Sequence, residues 1–128
     1  NGSSLIYMVN DFIKKSKKPK SGFYLNNLDE LSESLVELDQ KGEKILLIGV
    51  SFALLDLVEK YKLNLKNTDI METGGMKGRR KEITREELHD KLKRGFNSNN
   101  IKHFIINSFC TRHYFLNYWS YIINITIT

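Results

Sequence analysis

The chain has one cysteine and one proline in 128 residues. Cys110 alone can form no internal disulfide, and such sparing use of thiols fits a reducing compartment, so a cytoplasmic protein is expected. With 41% hydrophobic residues and a single proline, the composition is that of a globular chain, not a disordered one. No long apolar run exists. The uncharged stretch from Tyr114 is only 15 residues and carries Asn117, Ser120 and Asn124, against the roughly 20 residues of a membrane-spanning helix. No membrane span is expected. Acidic residues stop at Asp90.

That last absence explains the net charge of +5. Residues 1–90 hold all 15 acidic residues and 15 of the Lys and Arg, and are neutral as a block. The excess comes from Lys91, Lys93, Arg94, Lys102 and Arg112. Nucleic-acid binders cluster basic residues on one face, and this distribution does not, so no nucleic-acid partner is expected. The run Lys14, Lys15, Lys17, Lys18 and Lys20 falls at an expected helix end and loop, where cations complement the helix dipole.

Periodicity predicts an α/β fold. Leu5, Met8, Val9, Phe12 and Ile13 share one helix face after a Ser4 cap. Phe23-Tyr24-Leu25 reads as a short extended segment. A helix capped by Asn27 follows, with Leu28, Leu31, Leu35, Val36 and Leu38 on its apolar side and Gly42 closing it. Ile45-Leu46-Leu47-Ile48-Gly49-Val50 is continuously apolar, the pattern of a strand buried on both faces in a parallel sheet. Residues 52–61 and 84–95 read as helices, the second opened by a Thr84–Glu87 capping box. Residues 68–72 and 101–106 read as strands. The order α-α-β-α-β-α-β predicts a parallel sheet in which 45–49, 68–72 and 101–106 are adjacent strands, with helices 52–61 and 84–95 as crossovers.

Chemistry concentrates at Met71-Glu72-Thr73-Gly74-Gly75-Met76-Lys77-Gly78-Arg79-Arg80. Three glycines between a strand and a helix allow a tight turn and a close approach to a ligand. Backbone N–H groups in such a turn can converge on an anion, with Lys77, Arg79 and Arg80 adding charge. The alternative is a solvated turn with a basic rim. Gly49 and Ser51 occupy a second strand end, where open α/β sheets bind ligands; Ser51 serves there as a helix cap or as a ligand contact. Glu72 stands ready to meet a ligand or a neighbouring strand. His89, His103 and His113 show no metal-site spacing.

Four blocks in order carry a family resemblance: Gly2-Ser3-Ser4-Leu5, Ser21-Gly22-Phe23-Tyr24-Leu25, Leu47-Ile48-Gly49-Val50-Ser51-Phe52-Ala53-Leu54-Leu55-Asp56, and the glycine turn of 71–80. Over about residues 2–106 the chain resembles LuxE-type acyl-protein synthetases, relatives of the adenylate-forming ligases. The resemblance implies a fragment of the large α/β domain of such a ligase. It implies ATP-dependent activation of a fatty or other carboxylic acid as acyl-adenylate, with Mg²⁺, and transfer of the acyl group to a thiol. An acyl reductase is the implied partner protein. Thr73, Gly74, Gly75, Met76 and Lys77, with Gly49 and Ser51, are the implied nucleotide-side residues. A non-catalytic α/β nucleotide-binding or interaction module is the alternative.

The resemblance fails after the last expected strand. The family has Ser-Glu-Tyr-Gly-Met-Thr-Glu there, its final Glu serving metal and ATP. This chain has Asn107-Ser108-Phe109-Cys110-Thr111-Arg112-His113. Cys110 does not match the family's acyl-acceptor cysteine. Residues 1–106 are thus expected to form a partial adenylation domain. Residues 107–128, rich in Ile, Asn and Tyr, are expected to be an atypical tail, out of frame or disordered, that packs poorly. The start at Asn1, without an initiator Met, suggests a piece of a longer protein. The chain alone is expected not to complete adenylation.

Overall fold

Every residue of Ile45–Gly49 is buried, as a strand with helices on both faces must be. The computed structural model describes residues 2–25, 27–74, 81–103 and 118–126. Its elements are α1 (Gly2–Ser16), β1 (Gly22–Leu25), α2 (Leu28–Gln40), β2 (Ile45–Gly49), α3 (Ser51–Lys60), β3 (Thr68–Glu72), α4 (Arg85–Phe96), β4 (Ile101–His103) and β5 (Tyr121–Thr126). The strands form one sheet in the order β1-β5-β2-β3-β4, and all four pairings are parallel. The fold is α/β, with a parallel sheet and helical crossovers.

Alternate side chains of β2 divide between two cores. Ile45 and Leu47 join Leu31 and Leu35 of α2, Leu54 and Leu57 of α3, and Leu88, Leu92 and Phe96 of α4. Leu46 and Ile48 meet Val9 and Phe12 of α1 on the other face, with Met71 and Ile122. The expected adjacency of 45–49, 68–72 and the strand beginning at Ile101 is present: Gly49 pairs with Glu72, and Glu72 with His103. β4 ends at His103; residues 104–106 of the expected strand lie outside the described residues.

The expectation that the end of the chain packs poorly is corrected for 121–126. β5 fills the slot between β1 and β2. Ile122, Ile123 and Ile125 are buried. Branched, uncharged residues suit a strand enclosed on both faces as well as they suit aggregation. Polar contacts fix the register: the Ile122 N–H donates to Ser21 Oγ at 2.9 Å, and the Ser120 N–H to the Lys44 carbonyl at 2.8 Å. Trp119 Nε1 donates to Asp69 at 2.9 Å.

Two expected caps also differ. Ser4 lies inside α1, which starts at Gly2. Asn27 is the N-cap of α2, but its side chain makes no capping bond; its amide donates to Glu30 instead. Thr84 does cap α4, accepting from the Glu87 N–H at 3.1 Å. Gly42, at φ +82°, closes α2 as expected.

A buried carboxyl clasp at the end of α2

Asp39, 4% exposed, holds the approach to β3. Its carboxylate accepts from the backbone N–H groups of Lys66 and Asn67 at 2.9 and 2.8 Å and from Thr68 Oγ1 at 2.8 Å. The Asn67 amide returns a bond to the Asp39 carbonyl. Thr68 pairs with Ile45, so this clasp sets the start of the β2–β3 ladder and, four residues on, where Glu72 sits.

Candidate functional site

The carboxyl ends of β2, β3 and β4 place Gly49, Glu72 and His103 in one row, as register partners across three strands. Ser51 begins α3 directly above. His89, one turn into α4, leans onto the same spot. The centre is the Glu72 carboxylate, 1% exposed. Oε2 accepts from Ser51 Oγ at 3.0 Å and from the Gly74 N–H at 3.0 Å. Oε1 accepts from His89 Nε2 at 3.2 Å and, at shorter range, from His103 Nδ1.

Burial opposes charge on Glu72, but the bonds from His103, His89, the Gly74 N–H and Ser51 outweigh it, holding the carboxyl below its ordinary range. A carboxylate only accepts hydrogen bonds, so each facing imidazole nitrogen carries a proton. Four donors on two oxygens leave Glu72 well satisfied, and it in turn fixes the orientation of four neighbours.

The sequence-predicted residues fall around this carboxylate. Ser51 is not the N-cap of α3. Val50 occupies that position without a side-chain bond, and the Ser51 hydroxyl is drawn to Glu72 instead. The Ser51 N–H donates to the Gly74 carbonyl at 2.7 Å, and the Thr73 N–H to the Gly49 carbonyl at 3.0 Å. The Thr73 hydroxyl also reaches the Gly49 carbonyl. Gly74, at φ +85°, has open space where a Cβ would stand, so its glycine serves the backbone conformation. Gly49 has the opposite reason: a Cβ there would lie 2.3 Å from Ile125 Cγ2 and 3.2 Å from Leu54. Gly75, Met76 and Lys77 lie outside the described residues.

The Gly74 N–H, expected to face an anion, is thus already engaged by an internal carboxylate. Beside it opens a cleft of about 230 Å³ lined by Ser51, Glu72, Gly74, Ile83, Arg85 and His103, among others. Among the described residues, no group of three or more His, Cys, Asp or Glu side chains is arranged to hold a metal ion.

Sequence reasoning missed both histidines. Their spacing fits no metal site, and their partner is a carboxylate 17 and 31 residues away. The usable signal was positional: Glu72 ends a predicted parallel strand, where ligand sites gather, and His103 lies within the predicted strand 101–106 beside it.

Comparison with protein families, curated proteins and solved structures finds no match to this chain. Among the described residues, no helix is long and apolar enough to cross a membrane.

Proposed function

We propose that this chain is part of the large domain of an AMP-forming acyl-protein synthetase, and that the cleft at the ends of β2, β3 and β4 is its nucleotide side. The complete enzyme would use ATP and Mg²⁺ to activate a fatty or other carboxylic acid as acyl-adenylate and pass the acyl group to a thiol, with an acyl reductase as downstream partner in the cytoplasm. The observation that carries this reading is the convergence of Gly49, Ser51, Thr73 and Gly74, from two of the four resembling blocks, at adjacent strand ends. Ligands of open α/β sheets bind at such ends. Adenylation relies on positioning and on preorganised dipoles, which a hydrogen-bonded turn of this kind supplies. Gly75, Met76 and Lys77 belong to the proposal by sequence alone.

One observation favours a second reading, a non-catalytic nucleotide-binding module. The Ser51 hydroxyl and Gly74 N–H are turned to Glu72, leaving fewer donors for a phosphate. Calorimetry with a fatty acyl-sulfamoyl-adenosine, a stable acyl-adenylate mimic, tests both readings. Wild type should bind. Gly74→Val should weaken binding by about tenfold or more, because a branched residue at positive φ costs about 1–3 kcal/mol. Equal affinity for both proteins would count against the site. ATP–pyrophosphate exchange in an intact relative of the chain separates the two readings.

A further inference from the structure

The cleft exposes one imidazole whose tautomer is dictated from behind. His103 donates through Nδ1 to Glu72, so the neutral ring keeps the lone pair on Nε2. Its side chain is 26% exposed and lines the cleft, whereas His89 does not. The two rings differ in their bonding as well. His89 donates through Nε2, which leaves its free nitrogen on the side of the ring nearer its own backbone. A base whose orientation is fixed by a buried carboxylate, and whose second nitrogen meets no partner among the described residues, is the arrangement that general-base chemistry requires.

We propose that His103 is the general base of this cleft and takes the proton of a thiol attacking an acyl carbon, with Glu72 as its positioning residue. The proposal rests on the acyl-adenylate reading for its electrophile. The choice of thiol follows from proton affinity. A thiol near pKa 8.5 gives up its proton far more readily than water does, and an amine near 10.4 is already protonated at neutral pH. The size of the cleft agrees. About 230 Å³ falls below the roughly 300–1,000 Å³ of pockets that enclose a whole ligand, and suits the reacting ends of two larger molecules.

The step balances without an added reagent. Nε2 accepts the S–H proton as the S–C bond forms at the acyl carbon. The C–O bond to the adenylate phosphate breaks, and AMP leaves as its phosphate anion. The imidazolium then returns its proton to water. Among the described residues, Glu72 of β3, His89 and Arg85 of α4, and Glu82 beside α4 are the charged or titratable groups around this ring, and they shape the pH dependence together.

The test supplies preformed fatty acyl-adenylate and N-acetylcysteamine to the 128-residue chain, and follows thioester formation over the protein-free rate from pH 5.5 to 9. His103→Gln should lower the catalysed rate by about 10²–10⁴-fold, the range of general-base contributions. It should remove one limb of the pH profile while changing acyl-adenylate affinity far less. Nitrogen-15 NMR of the neutral ring should show the Nδ1–H tautomer at His103, and Glu72→Gln should shift the ring toward Nε2–H. Glu72→Gln should also lower the catalysed rate far more than acyl-adenylate affinity, a split that a merely structural Glu72 would not produce. Acyl-adenylate that binds but reacts no faster than without protein, or equally fast with His103→Gln, overturns the assignment of the base. An Nε2–H ring in the wild type does the same. Failure of wild type to bind acyl-adenylate instead overturns the nucleotide reading, and with it the electrophile.

Discussion

Glu72 shows what a buried charge demands. Taking a carboxylate out of water costs several kcal/mol unless donors replace the solvent, and four do so here. Its folded pKa lies below the ordinary 4.5. A depressed carboxyl contributes stability that is fully present above the unfolded value and lost as pH falls through the folded one. Urea denaturation between pH 3 and 7 should therefore show wild type losing this contribution below about pH 4.5. Glu72→Gln should be less stable at pH 7 and flatter on the acid side; equal acid slopes for the two proteins would contradict the network. Of this site, Gly74 was legible in the sequence, because a positive φ leaves a local mark. The Glu72–His89–His103 contact left none, because residues this far apart in sequence meet only through sheet register and helix packing.

Elements were legible where one periodicity dominated. The unbroken apolar run of β2 and the Thr84–Glu87 cap of α4 carry their own signals. Ser51 misled, because a serine before an apolar helix is as good a cap as it is a hydrogen-bond donor to a neighbouring strand. Gly95 illustrates a conflict between levels. Inside α4, alanine would gain about 1 kcal/mol in helix propensity. Yet a Cβ there would lie 2.3 Å from Val58 Cβ of α3, too close without moving the helices apart. Gly95→Ala should therefore destabilise the protein despite its better propensity, by about 1–3 kcal/mol, the usual cost of overpacking. Thermal unfolding decides the sign, and a raised melting temperature would show that α3 and α4 give way easily. α2 ends in a second clasp. Asp39→Ala removes the acceptor for three donors and should cost about 2–4 kcal/mol, since bonds to charged groups are worth about 1.5–3 kcal/mol each and do not add fully.

Across the whole molecule, alternation of helices and strands announced a parallel sheet and the adjacency of β2, β3 and β4, but not the places of β1 and β5. β5 was the least legible piece. Its Ile-rich, uncharged sequence describes an aggregating tail and a central strand equally well, and only the gap between β1 and β2 distinguishes them. Hydrogen exchange should find the amides of 121–126 protected to the same order as those of Ile45–Gly49. Exchange near the unprotected rate would mean that the slot is not held.

That slot has a temporal side. β1 and β2 do not pair with each other; each pairs with β5. A ribosome making about 5–20 residues per second needs roughly 4–16 s to travel the approximately 80 residues from the end of β2 to the end of β5. During that interval the nascent chain carries an apolar strand with one open edge, the kind of surface that recruits another chain. Prompt shielding by a ribosome-associated chaperone, more than any property of the finished fold, would then govern how much of this protein is recovered from a cell.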